Sequence, residues 1–193
     1  ASDVYKRQLV DVQRQMMTNL GQLIHRKAAE AFRSKDREAF TLHSGRFLGM
    51  LADMDTLLRT RSEYSFDRWL TEARSWGETE EEKNQMERDA TSLVTIWGAD
   101  GDPRIFDYSW REWAGLINGY YLPRWQKFYT MLQQHLDEGT SYEEAGLPQI
   151  YGREAFRAND FYHALAEWEL SYVDTYGKAR IPATEGDLSL IHI

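Results

Sequence analysis

The chain has 193 residues, 42% of them apolar, with a formal charge of −8 and no cysteine. That length can bury one domain's core. The acidic balance excludes a phosphate-binding face of clustered Lys and Arg, so no nucleic-acid partner is expected. Disulfides and thiolate metal sites are excluded as well, and no run of about 18 apolar residues exists to span a membrane. Seven Trp and eleven Tyr point to a large aromatic core or to a surface that faces sugars.

The two ends are related at the level of DNA. The opening ASDVYKRQ back-translates as GCG TCA GAT GTG TAT AAG AGA CAG, and the closing LSLIHI as CTG TCT CTT ATA CAC ATC. The second string is the reverse complement of the last six codons of the first. Residues 1–8 and 188–193 are therefore expected to be translated sequencing adaptor, which leaves 9–187 as the native part, a fragment of a longer protein recovered by metagenomic sequencing.

From Leu9 onward the pattern is helical. The first helix places Val12, Met16, Leu20, Leu23, Ala28, Ala31 and Phe32 at three- and four-residue steps, the spacing expected of a core-facing stripe. A second helix near 36–60 uses Phe40, Phe47, Leu48, Leu51, Met54, Leu57 and Leu58. A short third begins at Ser65 and stops at Gly77. The fourth opens with a capping box from Thr79 to Glu82. The fifth is expected to open with a second box, Ser109 to Glu112, to carry Leu116, Ile117, Tyr120 and Trp125 inward, and to kink at Pro123. The sixth, about 154–176, carries Phe156, Phe161, Leu165, Trp168 and Tyr172. The expected fold is an all-α bundle of about six helices.

Little in this chain looks like reaction chemistry. The four histidines outside the adaptor segments, at 25, 43, 135 and 163, include no i,i+4 pair, and Asp160-x-x-His163 is a single half of a di-iron motif. No metal and no cofactor are expected. The carboxylates Glu78, Glu80, Glu81, Glu82 and Glu87 read for the most part as a solvated face and a favourable helix start. No nucleophile elbow or phosphate loop is present. What remains is TIWGADGDPRIFDYSW, residues 95–110, where Trp97, Tyr108 and Trp110 flank a Gly, Asp and Pro loop. Two readings stand side by side. The rings can anchor the loop in the core, or they can form a wall on which the apolar face of a sugar stacks.

The stretches LVDVQRQ, FLGMLADMDTLL, WLTEARSW, TIWG and IFDYSWREWAGLINGYYLPRW resemble, in order, the C-terminal helical domain of alpha-N-acetylglucosaminidases, glycoside hydrolase family 89. The resemblance implies part of an exo-acting, retaining hydrolase that removes terminal α-linked N-acetylglucosamine from heparan sulfate or host glycoconjugates. It implies a (β/α)8 barrel elsewhere in the polypeptide, bearing both catalytic glutamates, so no catalytic residue is expected here and the fragment alone is expected to be inactive. Carried over by motif, Trp97, Ile105 and Tyr108 fall on positions that face the sugar, and Arg124 on a structural one. Two departures stand out: the loop GADGDPR is longer than the family's form, and Trp110 and Glu112 replace an Asn and a Gln. Animal members are lysosomal, and bacterial members are exported. If a barrel covers part of this surface, an apolar patch is expected on the fragment. The competing reading is a non-catalytic helical carbohydrate-binding or interaction module.

Overall fold

A computed structural model describes residues 3–97, 107–142 and 160–175. The described elements are helices α1 (Asp3–Arg33), α2 (Arg37–Arg59), α3 (Phe66–Arg74), α4 (Glu80–Leu93), α5 (Leu122–Glu138) and α6 (Asp160–Asp174). A 3-10 turn at Ser62–Tyr64 and a π-helical turn at Ile117–Tyr121 complete the set. The fold is all-α, as the periodicity predicts. The described residues divide into two compact units, one containing 3–65 and 113–142, the other 66–97, 107–112 and 160–175.

In the first unit, α1 and α2 form a helical hairpin. Lys35 takes the left-handed backbone conformation (φ 59°) and lets the Asp36 and Lys35 amides reach Ala31 and Phe32 carbonyls, at 2.9 and 3.0 Å. That closes α1 with a Schellman turn. Asp36 then caps α2 by accepting the Ala39 amide at 3.0 Å. α5 packs on α2, and its last carbonyls, Leu136 and Asp137, accept from the Arg37 guanidinium, a cation at the negative end of the helix dipole. Leu57, Leu58 and Phe40 are buried, and His25, Phe47, Trp125 and Tyr129 form a ring cluster with centroids 4.9–6.1 Å apart.

Two expectations are corrected here. On α1 the buried face is Val10, Met17, Ala28 and Ala31, whereas Val12, Met16, Leu20 and Leu23 are 48–63% exposed. The reason is size. Gly21 on the inner face lies so close to α2 that a Cβ there would meet Met50 Cε at 2.7 Å, and the small residues let the helices approach where the larger stripe would hold them apart. The second correction concerns the fifth helix. Residues 110–113 are not helical, and the helical run begins at Leu116, so Ser109 and Glu112 form no capping box. The start is fixed from α2 instead. Buried Asp55, ion-paired to Arg59, accepts the amides of Gly115 (2.6 Å) and Asn118 (3.1 Å). Ala114 is meanwhile tied by its amide to the Tyr64 carbonyl at 2.8 Å. The expected interruption at Pro123 takes the form of the π-turn just ahead of it, closed by the Leu122 amide on Ile117 O. Widening the helix there removes the tight turn with which the proline ring would clash.

In the second unit α3 packs on α4, and the Trp69 indole donates to Ala90 O at 2.9 Å. The Thr79–Glu82 capping box is present in both directions. Arg74 joins the two helices. It donates to Asn84 at 2.7 Å, to fully buried Glu87 at 3.0 Å and to Glu80 at 2.9 Å. Arg88 ties α4 to Asp174 of α6 at 2.8 Å. Residues 154–159 of the expected sixth helix, Phe156 among them, lie outside the described residues.

Candidate substrate-facing aromatic turn

Helix α4 ends in a ladder of threonines. Thr91 Oγ1 donates to Glu87 O and Thr95 Oγ1 to Thr91 O, each at 2.7 Å, and both side chains are buried. These bonds anchor the last turn, and the chain leaves it through Trp97, whose amide reaches back to Ser92 O at 2.7 Å. Trp97 stands at φ 62°. For a residue this bulky, the left-handed region is strained and persists only where its surroundings fix it.

The partner turn is built in the same way. Asp107 also lies in the left-handed region (φ 55°), which short polar side chains tolerate better than most. The Trp110 amide closes the turn on Asp107 O at 3.0 Å. Arg111 Nη1 then donates to the carbonyls of Ser109 (3.0 Å) and Trp110 (2.8 Å), satisfying outward-facing acceptors of the turn. The sequence signal for this clamp was weak, because Arg111 stands in a string of charged and aromatic residues with no periodicity of its own.

The two turns bring Trp97 and Tyr108 into contact, ring centroids 4.8 Å apart and planes inclined at 52°. Trp97 is half-buried, Tyr108 is 67% exposed and Trp110 is 53% exposed. Tyr108 and Trp110 are therefore not core plugs. A half-buried indole supporting an exposed phenol presents apolar ring face and a hydroxyl donor to solvent, the combination that recognises a sugar's C–H face and its hydroxyls. Ile105, the third expected member, lies outside the described residues. Arg124 belongs to α5 in the first unit, with its guanidinium 5.8 Å from the Tyr120 ring centroid one turn back.

Among the described residues no three His, Asp or Glu side chains converge as metal ligands, and no helix is long and apolar enough to cross a membrane. His25 is committed to the core, with Nδ1 2.8 Å from the Tyr129 hydroxyl. Burial, helped by the charge of Arg33, holds its pKa below the ordinary value. Burial likewise raises that of Tyr129, so a neutral imidazole meets a protonated phenol.

The architecture defines the class: an all-α domain of packed helical hairpins. The family model described as "Alpha-N-acetylglucosaminidase (NAGLU) C-terminal domain" matches residues 1–190, and the chain belongs to that family. It is 30% identical over 145 residues to the human alpha-N-acetylglucosaminidase, covering 74% of this chain and 19% of the human one. Among solved structures it is similar to a family 89 glycoside hydrolase from Clostridium perfringens in complex with PUGNAc, with a TM-score of 0.79 and 26% identity over 98% of this chain and 20% of that one. It is also similar to the same organism's enzyme in complex with its substrate GlcNAc-alpha-1,4-galactose, with a TM-score of 0.73 and 29% identity over 92% of this chain and 19% of that one. The chain thus spans about a fifth of the length of these relatives.

Proposed function

We propose that this chain is the C-terminal helical part of an exo-acting, retaining alpha-N-acetylglucosaminidase, and that Trp97, Tyr108 and Ile105 form one wall of the pocket for a terminal α-linked N-acetylglucosamine. The glycans trimmed would be heparan sulfate or host glycoconjugates, and the enzyme would act in an exported or lysosomal compartment. In a retaining hydrolase one carboxylate attacks the anomeric carbon while a second carboxylic acid protonates the departing oxygen, then returns as base to activate water. Both would come from a barrel elsewhere in the polypeptide. This domain's contribution is to stack on the sugar, donate a hydrogen bond from Tyr108 and keep bulk water off the reacting centre.

The observation that carries this reading is the exposed Tyr108 ring resting on half-buried Trp97. A merely structural aromatic pair gains by burial. This pair instead forgoes part of that gain and is held outward on two left-handed backbone positions. The test uses the full-length enzyme and an aryl α-N-acetylglucosaminide. Tyr108→Ala is expected to lower kcat/KM at least about tenfold, equivalent to about 1.4 kcal/mol of transition-state binding, while Tyr108→Phe keeps the stack and loses less. The 193-residue chain alone should show no turnover. An unchanged kcat/KM in Tyr108→Ala would overturn the pocket-wall reading, and sugar binding by the 193-residue chain with no effect in the full-length enzyme would favour a separate binding module.

A further inference from the structure

The turn that carries Tyr108 ends in a second large ring. Trp110 is 53% exposed, and among the described residues it contacts no other ring, whereas Tyr108 rests on Trp97. The backbone of Trp110 is pinned on both sides. Its amide donates to Asp107 O at 3.0 Å, and its carbonyl accepts from Arg111 Nη1 at 2.8 Å. An indole on a backbone already fixed by its turn receives a ligand with little further loss of freedom. The part left open is roughly 100 Å², about half of what a tryptophan side chain presents, and enough for one face of a pyranose ring. Exposure alone marks no site. Trp76 is more open still, at 83%, yet it follows the end of α3, between Ser75 and Gly77, with no second exposed aromatic in its turn. Trp110 shares its turn with exposed Tyr108. Two positions apart in a four-residue turn, their Cα atoms lie about 5–7 Å from one another, which is comparable to the step between neighbouring sugars in a glycan.

We propose that Trp110 is the platform for the sugar next to the terminal N-acetylglucosamine, on the leaving-group side, and that it makes the enzyme favour glycans over simple glycosides. The inference rests on the reading of Trp97 and Tyr108 as a wall for the terminal sugar. A pocket that takes only a chain end closes around the terminal residue and opens toward the rest of the glycan. The Trp97–Tyr108 pair, with its half-buried indole, takes the closed side. Trp110 stands apart from both rings, one sugar step along the same turn. An indole stacks on the C–H face of a pyranose whichever hydroxyls the ring carries. The ligand is therefore a class, a second pyranose with an open C–H face, rather than one particular sugar. The form of the family that the sequence resembles has Asn at this position, a side chain that hydrogen-bonds but does not stack. Trp110 thus adds a grip on the second sugar that an Asn at the same place does not provide.

The test compares two substrates in the full-length enzyme. One is GlcNAc-α-1,4-galactose, the disaccharide bound by the Clostridium perfringens relative. The other is methyl α-N-acetylglucosaminide, whose leaving group is too small to reach a second ring. Release of N-acetylglucosamine is followed for both in one preparation, so the ratio of the two kcat/KM values is independent of how much enzyme is folded. Trp110→Ala is expected to lower the disaccharide-to-methyl ratio at least about fivefold, with the methyl glycoside itself changed by less than about twofold. Trp110→Phe keeps a smaller ring and should lose less. An unchanged ratio overturns the inference. If both values hold, the indole touches no second sugar; if both fall together, Trp110 serves the terminal sugar or the turn instead. Tyr108→Ala keeps the two readings apart, because a wall for the terminal sugar lowers both values at once. Were Tyr108→Ala to leave both unchanged, the wall reading would fail by itself, while the ratio in Trp110→Ala would still report on the second sugar.

Discussion

Replacing Asp55 by alanine should destabilise the first unit by about 3–5 kcal/mol, because three partners lose their acceptor at once. The carboxylate is 2% exposed and holds the Gly115 amide, the Asn118 amide and the Arg59 guanidinium. The two amides are among the donors that no carbonyl of their own helix can satisfy, and Gly115 has already left the right-handed region (φ 87°) to present its amide to α2. With a urea m-value of about 2 kcal/mol per molar, the midpoint should fall by about 1.5–2.5 M, followed by far-ultraviolet circular dichroism. Asp55→Asn keeps one oxygen for the two amides but withdraws the charge from Arg59, so a smaller loss, of about 1–2 kcal/mol, is expected. Amide hydrogen exchange adds a local readout, in which Gly115 and Asn118 should accelerate most. If alanine and asparagine shift the midpoint equally, and by less than about 0.5 M, the amides have found other acceptors and the account of how this helical run starts is wrong.

Arg74→Met should destabilise by about 2–4 kcal/mol in thermal melts, because it takes the Arg74 ion pair away from fully buried Glu87. Glu80→Ala, at the exposed end of the same network, should leave the melt unchanged. Gly77→Ala should lower stability by about 2 kcal/mol or more, since the added Cβ would stand 2.5 Å from the Lys83 amide nitrogen and the backbone of α4 has to move. Gly49→Ala, mid-helix with nothing within 4 Å, should raise it by about 0.5–1 kcal/mol. A Gly77→Ala melt equal to the parent's would mean that the chain before α4 approaches it less closely than 2.5 Å implies. For His25, a folded pKa below 6.5 means the unfolded chain takes up the proton first. Its contribution to stability is complete above pH 6.5 and is lost as the pH falls from there toward the folded value. His25→Gln should flatten that part of the urea-midpoint profile, and an unchanged slope would place the titration elsewhere.

The helix count, the helix from 36 to 60 and the Thr79 capping box were legible because each depends on residues within a few positions of one another. What was not legible depends on distance in space. Ser109 and Glu112 have the right spacing for a box, yet the chain stays non-helical through Trp113. A carboxylate sixty residues upstream offers Gly115 a buried acceptor, and a local signal worth about 1 kcal/mol does not compete with that. The aromatic turn was partly legible: its residue types announced stacking, but only the backbone at Trp97 and Asp107 shows that Tyr108 faces solvent.

Helix α1 carries the sharpest version of this problem. Its sequence holds two apolar stripes offset by one residue, Val10 and Met17 on one, Val12, Met16 and Leu20 on the other, and a helical period alone ranks the heavier stripe as core. Packing density decides otherwise, because α2 approaches on the side where Gly21, Ala28 and Ala31 leave room. The heavier stripe is then left facing outward with amides rather than charges beside it. Had it been a solvated face, substitution by Lys or Glu would have carried no penalty, and such residues would be expected there as they are on the outer face of α4. A long helix that is apolar on both sides is a helix with neighbours on both sides. The chain folds one of those neighbours itself, as α2. The face turned away from α2, with Val12, Met16, Leu20 and Leu23, stays exposed in this chain.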